Sequence, residues 1–263
     1  MIMWTRKLLK ENAKIAFKRN YWLCVAVSAI AMFLMGGGFG INVGNSNVAE
    51  ETESILKGEL SIQQLIAQIP PAIIFAIGLG VLFGLVLGVC IVILVSNVAQ
   101  VGCNRFFIEN REHKTSVGQV FYGFQGGRYT GIVWIMFFKG LYTFLWSLLL
   151  VVPGIIKSYS YMMVPYIVAE NSNLDKKRVF KISRKMMSGH KWEAFVLGLS
   201  FLGWSLVGAL TGGILNLLYV NPYVNATYAE FYSALKAEAL QKGIATSEEL
   251  PGVIVPEVEI PIV

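Results

Sequence analysis

The stretch from Phe144 to Trp204 permits very few folds. It opens as FLWSLLLVVPGIIKSYSYMMVPYIVAEN, two apolar runs joined at Pro153-Gly154. It passes into the cationic segment NSNLDKKRVFKISRKMMSGHKWE and returns to apolar chain in AFVLGLSFLGW. Successive apolar runs of this length, joined by a minimal turn and then by a basic segment, ask for a bilayer as solvent. The rest of the chain repeats the pattern, so the expected class is all-α: a polytopic helical membrane protein with about six transmembrane helices.

Composition agrees. Hydrophobic residues make up 55% of the 263 and charged residues 14%, against about 25% charged in a soluble domain. Mean hydropathy is +0.59. The net charge of +6 could point to nucleic acid, but the basic residues lie beside apolar spans. Anionic lipid headgroups on the cytoplasmic face are therefore the expected partner, and nucleic acid is not. Cys24, Cys90 and Cys103 form no C-x-x-C and read as small buried hydrophobes.

Residues 1–20 read as a cationic amphipathic N-terminal helix, too long and too charged for a signal n-region, so the first span is expected to be retained. Residues 21–240 hold the six spans, at about 22–39, 70–95, 130–152, 154–169, 194–212 and 214–235. Residues 241–263, with three prolines and four glutamates, read as an extended or disordered tail. The 40–69 loop is acidic, with room for a short helix at 59–68, whereas the N-terminal segment and the loops at 97–130 and 170–193 carry most of the Lys and Arg. The positive-inside rule then puts both termini in the cytoplasm. Some features recur at a fixed interval within the C-terminal half: Phe144-Leu145 and Phe201-Leu202, Pro165-Tyr166 and Pro222-Tyr223, Ala169 and Ala226.

Chemistry in a bilayer requires polar groups at depth, where they are costly. Lys139 falls inside the third span, and Glu230 is the acid most readily placed within its reach; carbonyls and tyrosines are its other partners. The fourth span carries Lys157 and Tyr161 before Pro165, and the sixth carries Asn216, Asn221 and Asn225 around Pro222. Two proline-kinked polar helices can line a hydrated cavity or form a hydrogen-bonded seam. Gly80, Gly84 and Gly88 share one face of the second span and suit close helix packing, within the monomer, in a homodimer or against another membrane protein. Lys176, Lys177, Arg178, Lys181, Arg184 and Lys185 flank an apolar stripe of Val179, Phe180, Ile182, Met186 and Met187, as in a helix lying on an anionic leaflet.

No H-E-x-x-H, G-x-S-x-G or P-loop motif occurs, and His113 and His190 are the two histidines. No catalytic residue, metal or cofactor is called for.

The block LWSLLLVVPGIIKSYSYMMVPYIVAEN, then FKISRKMMSGHKWEAFVLGLSFLGW, then NPYVNATYAEFY, resembles the domain-of-unknown-function 975 family over about Leu145–Tyr232. That resemblance implies a polytopic bacterial integral membrane protein and supplies no catalytic residues. The expected function is a non-enzymatic, multi-pass protein of the bacterial inner membrane that binds lipids or a partner as an accessory module. A small transporter or channel using the polar fourth and sixth spans is the alternative, and a lipid-modifying enzyme the least favoured.

Overall fold

The computed structural model describes residues 4–34 and 70–252; the end of the first span, the acidic 40–69 loop and the tail beyond 252 lie outside it. The described chain is all-α. In order, it forms α1 (Arg6–Arg19), α2 (Tyr21–Leu34), α3 (Pro71–Ile91), a π-helical turn (Val92–Ser96) and α4 (Asn97–Glu109). A 3-10 segment (Val117–Phe124) leads to α5 (Tyr129–Leu149), α6 (Val151–Ser160), α7 (Val164–Glu170), α8 (Lys176–Met186) and α9 (Lys191–Leu210). A second π-helical turn (Asn216–Val220) runs into α10 (Asn221–Gln241).

Local chemistry sets the helix ends. The Thr5 hydroxyl accepts the Leu8 N–H at 3.2 Å to open α1, and Lys18 and Arg19 sit at its negative end. Asp175 opens α8 in the same way through the Lys177 N–H at 2.9 Å. The turn after α9 uses Gly212 and Gly213 at φ of 64° and 85°, a region that suits glycine.

One hairpin differs from its sequence expectation. Pro153-Gly154 is not the turn between the third and fourth spans; the chain reverses at Leu150, in extended conformation, and both residues belong to α6. Gly154 is needed for the crossing instead: a Cβ there would lie 2.7 Å from the Ser147 Cα on α5. The stretch expected as a fourth span is broken, with α6 ending at Ser160 and α7 opening at Val164, where Pro165 falls in its first turn. Pro222 falls in the first turn of α10 after a π-helical turn, so the two recurring Pro-Tyr pairs both restart a helix.

The molecule has two surfaces. At one end α1, α4, α7, α8 and α10 bury Phe17, Phe106, Ile167, Ile182, Phe231 and Tyr232 in a shared core. Residues 242–252, expected to be extended, pack against this end as turns, with Ala245 and Leu250 buried. At the other end large apolar side chains are exposed along α3, from Phe144 to Val152 across the α5–α6 hairpin, and along α9. Pro71–Gly88, Tyr129–Leu149 and Lys191–Leu210 are long and apolar enough to cross a membrane, with mean hydropathy of 2.4, 1.7 and 1.6. Gly80, Gly84 and Gly88 on α3 have nothing within 4 Å of their Cβ positions among the described residues, so the face that suits packing is not used within this part of the chain.

Candidate functional site

Lys139 lies on α5 at the wall of a half-open cavity of about 640 Å³. Six helices contribute: Ala31 from α2, Gln100 and Asn104 from α4, Lys139 and Thr143 from α5, Ser158 from α6, Tyr166 from α7, and Asn225 and Tyr228 from α10. Helical spacing explains the grouping, since Gln100 and Asn104 are one turn apart on α4, as are Lys139 and Thr143 on α5.

Part of the wall's polarity is spent locally. The Thr143 hydroxyl donates to the Lys139 carbonyl at 2.9 Å, and the Ser158 hydroxyl donates to the Ile155 carbonyl at 2.8 Å. Asn225 donates to the Ser28 hydroxyl at 3.2 Å. Among the described residues the Lys139 ammonium has neither an ion pair nor a hydrogen bond, and the lining contains no carboxylate. On insertion scales a lysine at the centre of a membrane-crossing helix costs roughly 2.5–3.5 kcal/mol, and an anion entering the cavity would offset a cost of that kind.

Glu230 is not its partner. The carboxylate faces Arg111, just past α4, at 2.9 Å, with both side chains largely buried. The pairing expected from sequence fails because α10 turns Glu230 toward the packed end, where the chain leaving α4 brings a guanidinium. The other residues singled out from sequence are dispersed. Asn225 shares the cavity with Lys139, but Lys157 sits 4.6 Å over the Trp146 ring. Asn216 packs on Gly208 and donates to the Ser205 carbonyl at 3.4 Å, while the Asn221 amide faces the Met32 sulfur at 3.8 Å. Tyr161 is buried against Phe180 with ring centroids 5.2 Å apart.

The six bases of α8 also divide. Lys176, Lys177, Lys181 and Arg184 line a second cleft. Arg178 turns inward to Glu249, with nitrogen–oxygen distances of 2.5 and 2.7 Å, and fastens residues 242–252 to the packed end. That pair holds the Glu249 carboxyl down at about 2, chiefly through the Arg178 hydrogen bond.

Sequence reasoning missed the deepest ion pair. Lys236 on α10 meets Glu170 at the end of α7 at 2.7 Å, with side chains 1% and 3% exposed. Burial raises the Glu170 carboxyl above its ordinary range against the pull of Lys236, and burial also lowers Lys236. Beside them Tyr166 and Tyr232 stack at 5.3 Å, and Arg105 donates to the Ala169 carbonyl at 2.7 Å. The signal was slight: Glu170 and Lys236 each sit one residue outside an apolar run. Gln100 and Asn104 were legible as a polar face one turn apart but fell in a segment read as a loop.

The family model described as protein of unknown function (DUF975) matches residues 148–239. This segment, about a third of the chain, is similar to the DUF975 family. The match runs from the end of α5 through most of α10, so the DUF975 segment supplies Ser158, Tyr166, Asn225 and Tyr228 of the cavity, while Lys139, Gln100 and Asn104 lie before it. No curated protein and no solved structure matches the chain.

Proposed function

We propose that this protein is a non-enzymatic, six-span accessory module of the bacterial inner membrane, with both termini in the cytoplasm, that binds an amphiphilic anion in the Lys139 cavity. The observation that carries the reading is the lone ammonium, without a carboxylate beside it, on the wall of a cavity lined mainly by apolar surface. Such a pocket suits a ligand with one negative group and an apolar body.

The membrane setting has separate support. Trp22, Trp134 and Trp192 are 73%, 60% and 72% exposed, at corresponding ends of α2, α5 and α9. Tryptophan at that position suits a headgroup belt. At a rise of 1.5 Å per residue the helices continue past Trp134 and Trp192 for roughly 23 and 27 Å, close to a hydrocarbon core of about 30 Å. The basic loops join the packed end of the molecule, in keeping with its facing the cytoplasm.

A small transporter is the second reading, favoured by the break between α6 and α7. Met162 in that break lines the cavity, and interrupted helices at membrane depth are tolerated where they are buried or line a cavity.

The test is binding of a fluorescent single-chain anionic amphiphile to the purified protein in nonionic detergent, with a zwitterionic analogue as comparison. Saturable binding of the anion that falls at least tenfold in Lys139→Gln supports the reading. Equal binding of both amphiphiles, or no change in the variant, contradicts it. Flux of the anion into proteoliposomes, lost in the same variant, would favour transport over binding.

A further inference from the structure

The second cleft lies on another face of the α5–α6 hairpin and carries more charge, although apolar surface still makes up most of its lining. Its volume is about 540 Å³. The helix α8 supplies Lys176, Lys177, Phe180, Lys181 and Arg184; Tyr142 and Trp146 from α5 and Tyr161 after α6 complete the lining. No carboxylate lines it, and among the described residues none of the four bases forms an ion pair. Lys176 stands 3.4 Å over the Phe138 ring, and Lys157 over Trp146 adds a fifth cation at the far rim.

We infer that this cleft is a binding site for the phosphate-bearing headgroup of an anionic membrane lipid. Three lysines and an arginine lining one cleft without an ion pair suit an anion whose charge is spread over several oxygens. Inorganic phosphate would leave most of the cleft empty, whereas a headgroup with its glycerol suits the volume. The aromatic wall offers ring faces to the cations and an amphipathic surface to the glycerol region.

What continues beyond the cleft identifies a lipid as the source. Leu145, Leu148 and Leu149, beside Trp146 on α5, are 50%, 73% and 68% exposed. A headgroup seated on α8 therefore has uncovered apolar surface beside the cleft for its acyl chains. The helix carrying the bases is held in place: Val179, Ile182, Met186 and Met187 are buried, and the Ser183 hydroxyl donates to the Ser160 carbonyl at 2.9 Å. The site is thus a fixed cleft rather than a mobile basic arm. It rests on the membrane setting above but not on the Lys139 cavity.

The experiment is native mass spectrometry of the full chain in nonionic detergent, titrated with phosphatidylglycerol, with phosphatidylcholine and with inorganic phosphate. The test variant is Lys177→Gln/Lys181→Gln, two exposed cleft bases. The control is Lys114→Gln/Lys185→Gln, an equal change of charge at exposed bases outside the cleft. The wild type is expected to hold phosphatidylglycerol in preference to phosphatidylcholine. The test variant should lose roughly tenfold or more in occupancy, while the control and Lys139→Gln keep it. An equal loss in both double variants, or equal binding of the two lipids, would overturn the proposal. Inorganic phosphate binding as tightly as the lipid would overturn the lipid assignment. Loss of phosphatidylglycerol in Lys139→Gln alone would place the lipid in the other cavity.

Discussion

Replacing Lys236 with methionine should be among the most damaging single changes in this protein. The lysine is fully buried and its ammonium lies 2.7 Å from Glu170, itself almost inaccessible. Methionine keeps most of the length and fills most of the volume, so the loss is electrostatic. It leaves a carboxylate with no cation paired to it, and breaking a buried pair from one side costs about 3–5 kcal/mol. The pH dependence gives the cause away. Burial already raises Glu170, and without Lys236 that rise is less opposed, so the folded variant prefers the neutral carboxyl. A group whose folded pKa is raised contributes stability below its unfolded value and loses that contribution as pH rises through the folded one. Lys236→Met should therefore be least deficient in acid and most deficient above neutrality. Glu170→Gln/Lys236→Met should recover much of the loss, because no charge remains unpaired. Reversible unfolding in mixed micelles, by dodecyl sulfate titration with helical circular dichroism, reads all three variants. A deficit under about 1 kcal/mol in Lys236→Met at neutral pH, or a double variant no better than the single, would refute the reasoning.

Two further outcomes concern the packed end. A Cβ at Gly102 would meet the Val120 carbonyl oxygen at 1.9 Å; Gly102→Ala must push the 3-10 segment off α4 and should cost at least the 1–3 kcal/mol or so typical of overpacking, read in the same unfolding assay. Arg178→Gln should free residues 242–252, seen as faster amide exchange there with α7 and α10 unchanged. In the wild type the Glu249 carboxyl is held down at about 2, so the clamp contributes above the carboxyl's ordinary range. That ionic contribution is lost as pH falls toward 2, and the exchange difference between wild type and variant should narrow with it, leaving the part due to the Arg178 bond to the Ile244 carbonyl at 3.0 Å.

Much of the architecture was legible because long apolar blocks and helical spacing follow simple rules. Long apolar blocks gave the helices, Gly212-Gly213 gave a turn, and the α8 stripe of Val179, Ile182, Met186 and Met187 is buried as its spacing requires. Pro153-Gly154 misled because proline and glycine commonly mark turns, whereas here Pro153 fits the first turn of α6 and Gly154 admits Ser147. Leu150, where the chain does reverse, has no distinguishing chemistry. The polar character of the fourth and sixth spans was legible and Asn225 reached the cavity, but the residues did not converge as a group. Which faces meet depends on the break after Ser160 and on the π-helical turn before Asn221, and neither has a period in the sequence. Long-range partners such as Arg111 for Glu230 and Glu170 for Lys236 are products of packing and leave almost no local trace.

The most direct test of the Lys139 cavity is to identify what it holds. The protein would be extracted in mild nonionic detergent, weighed by native mass spectrometry, and its retained small molecules released and identified, alongside Lys139→Gln and a Lys157→Gln control. Apart from phospholipid held in the α8 cleft, which all three proteins should retain, the account predicts one stoichiometric anionic amphiphile that is present in the wild type and in Lys157→Gln and absent from Lys139→Gln. Only a neutral ligand, or no anionic ligand that Lys139→Gln loses, would contradict it.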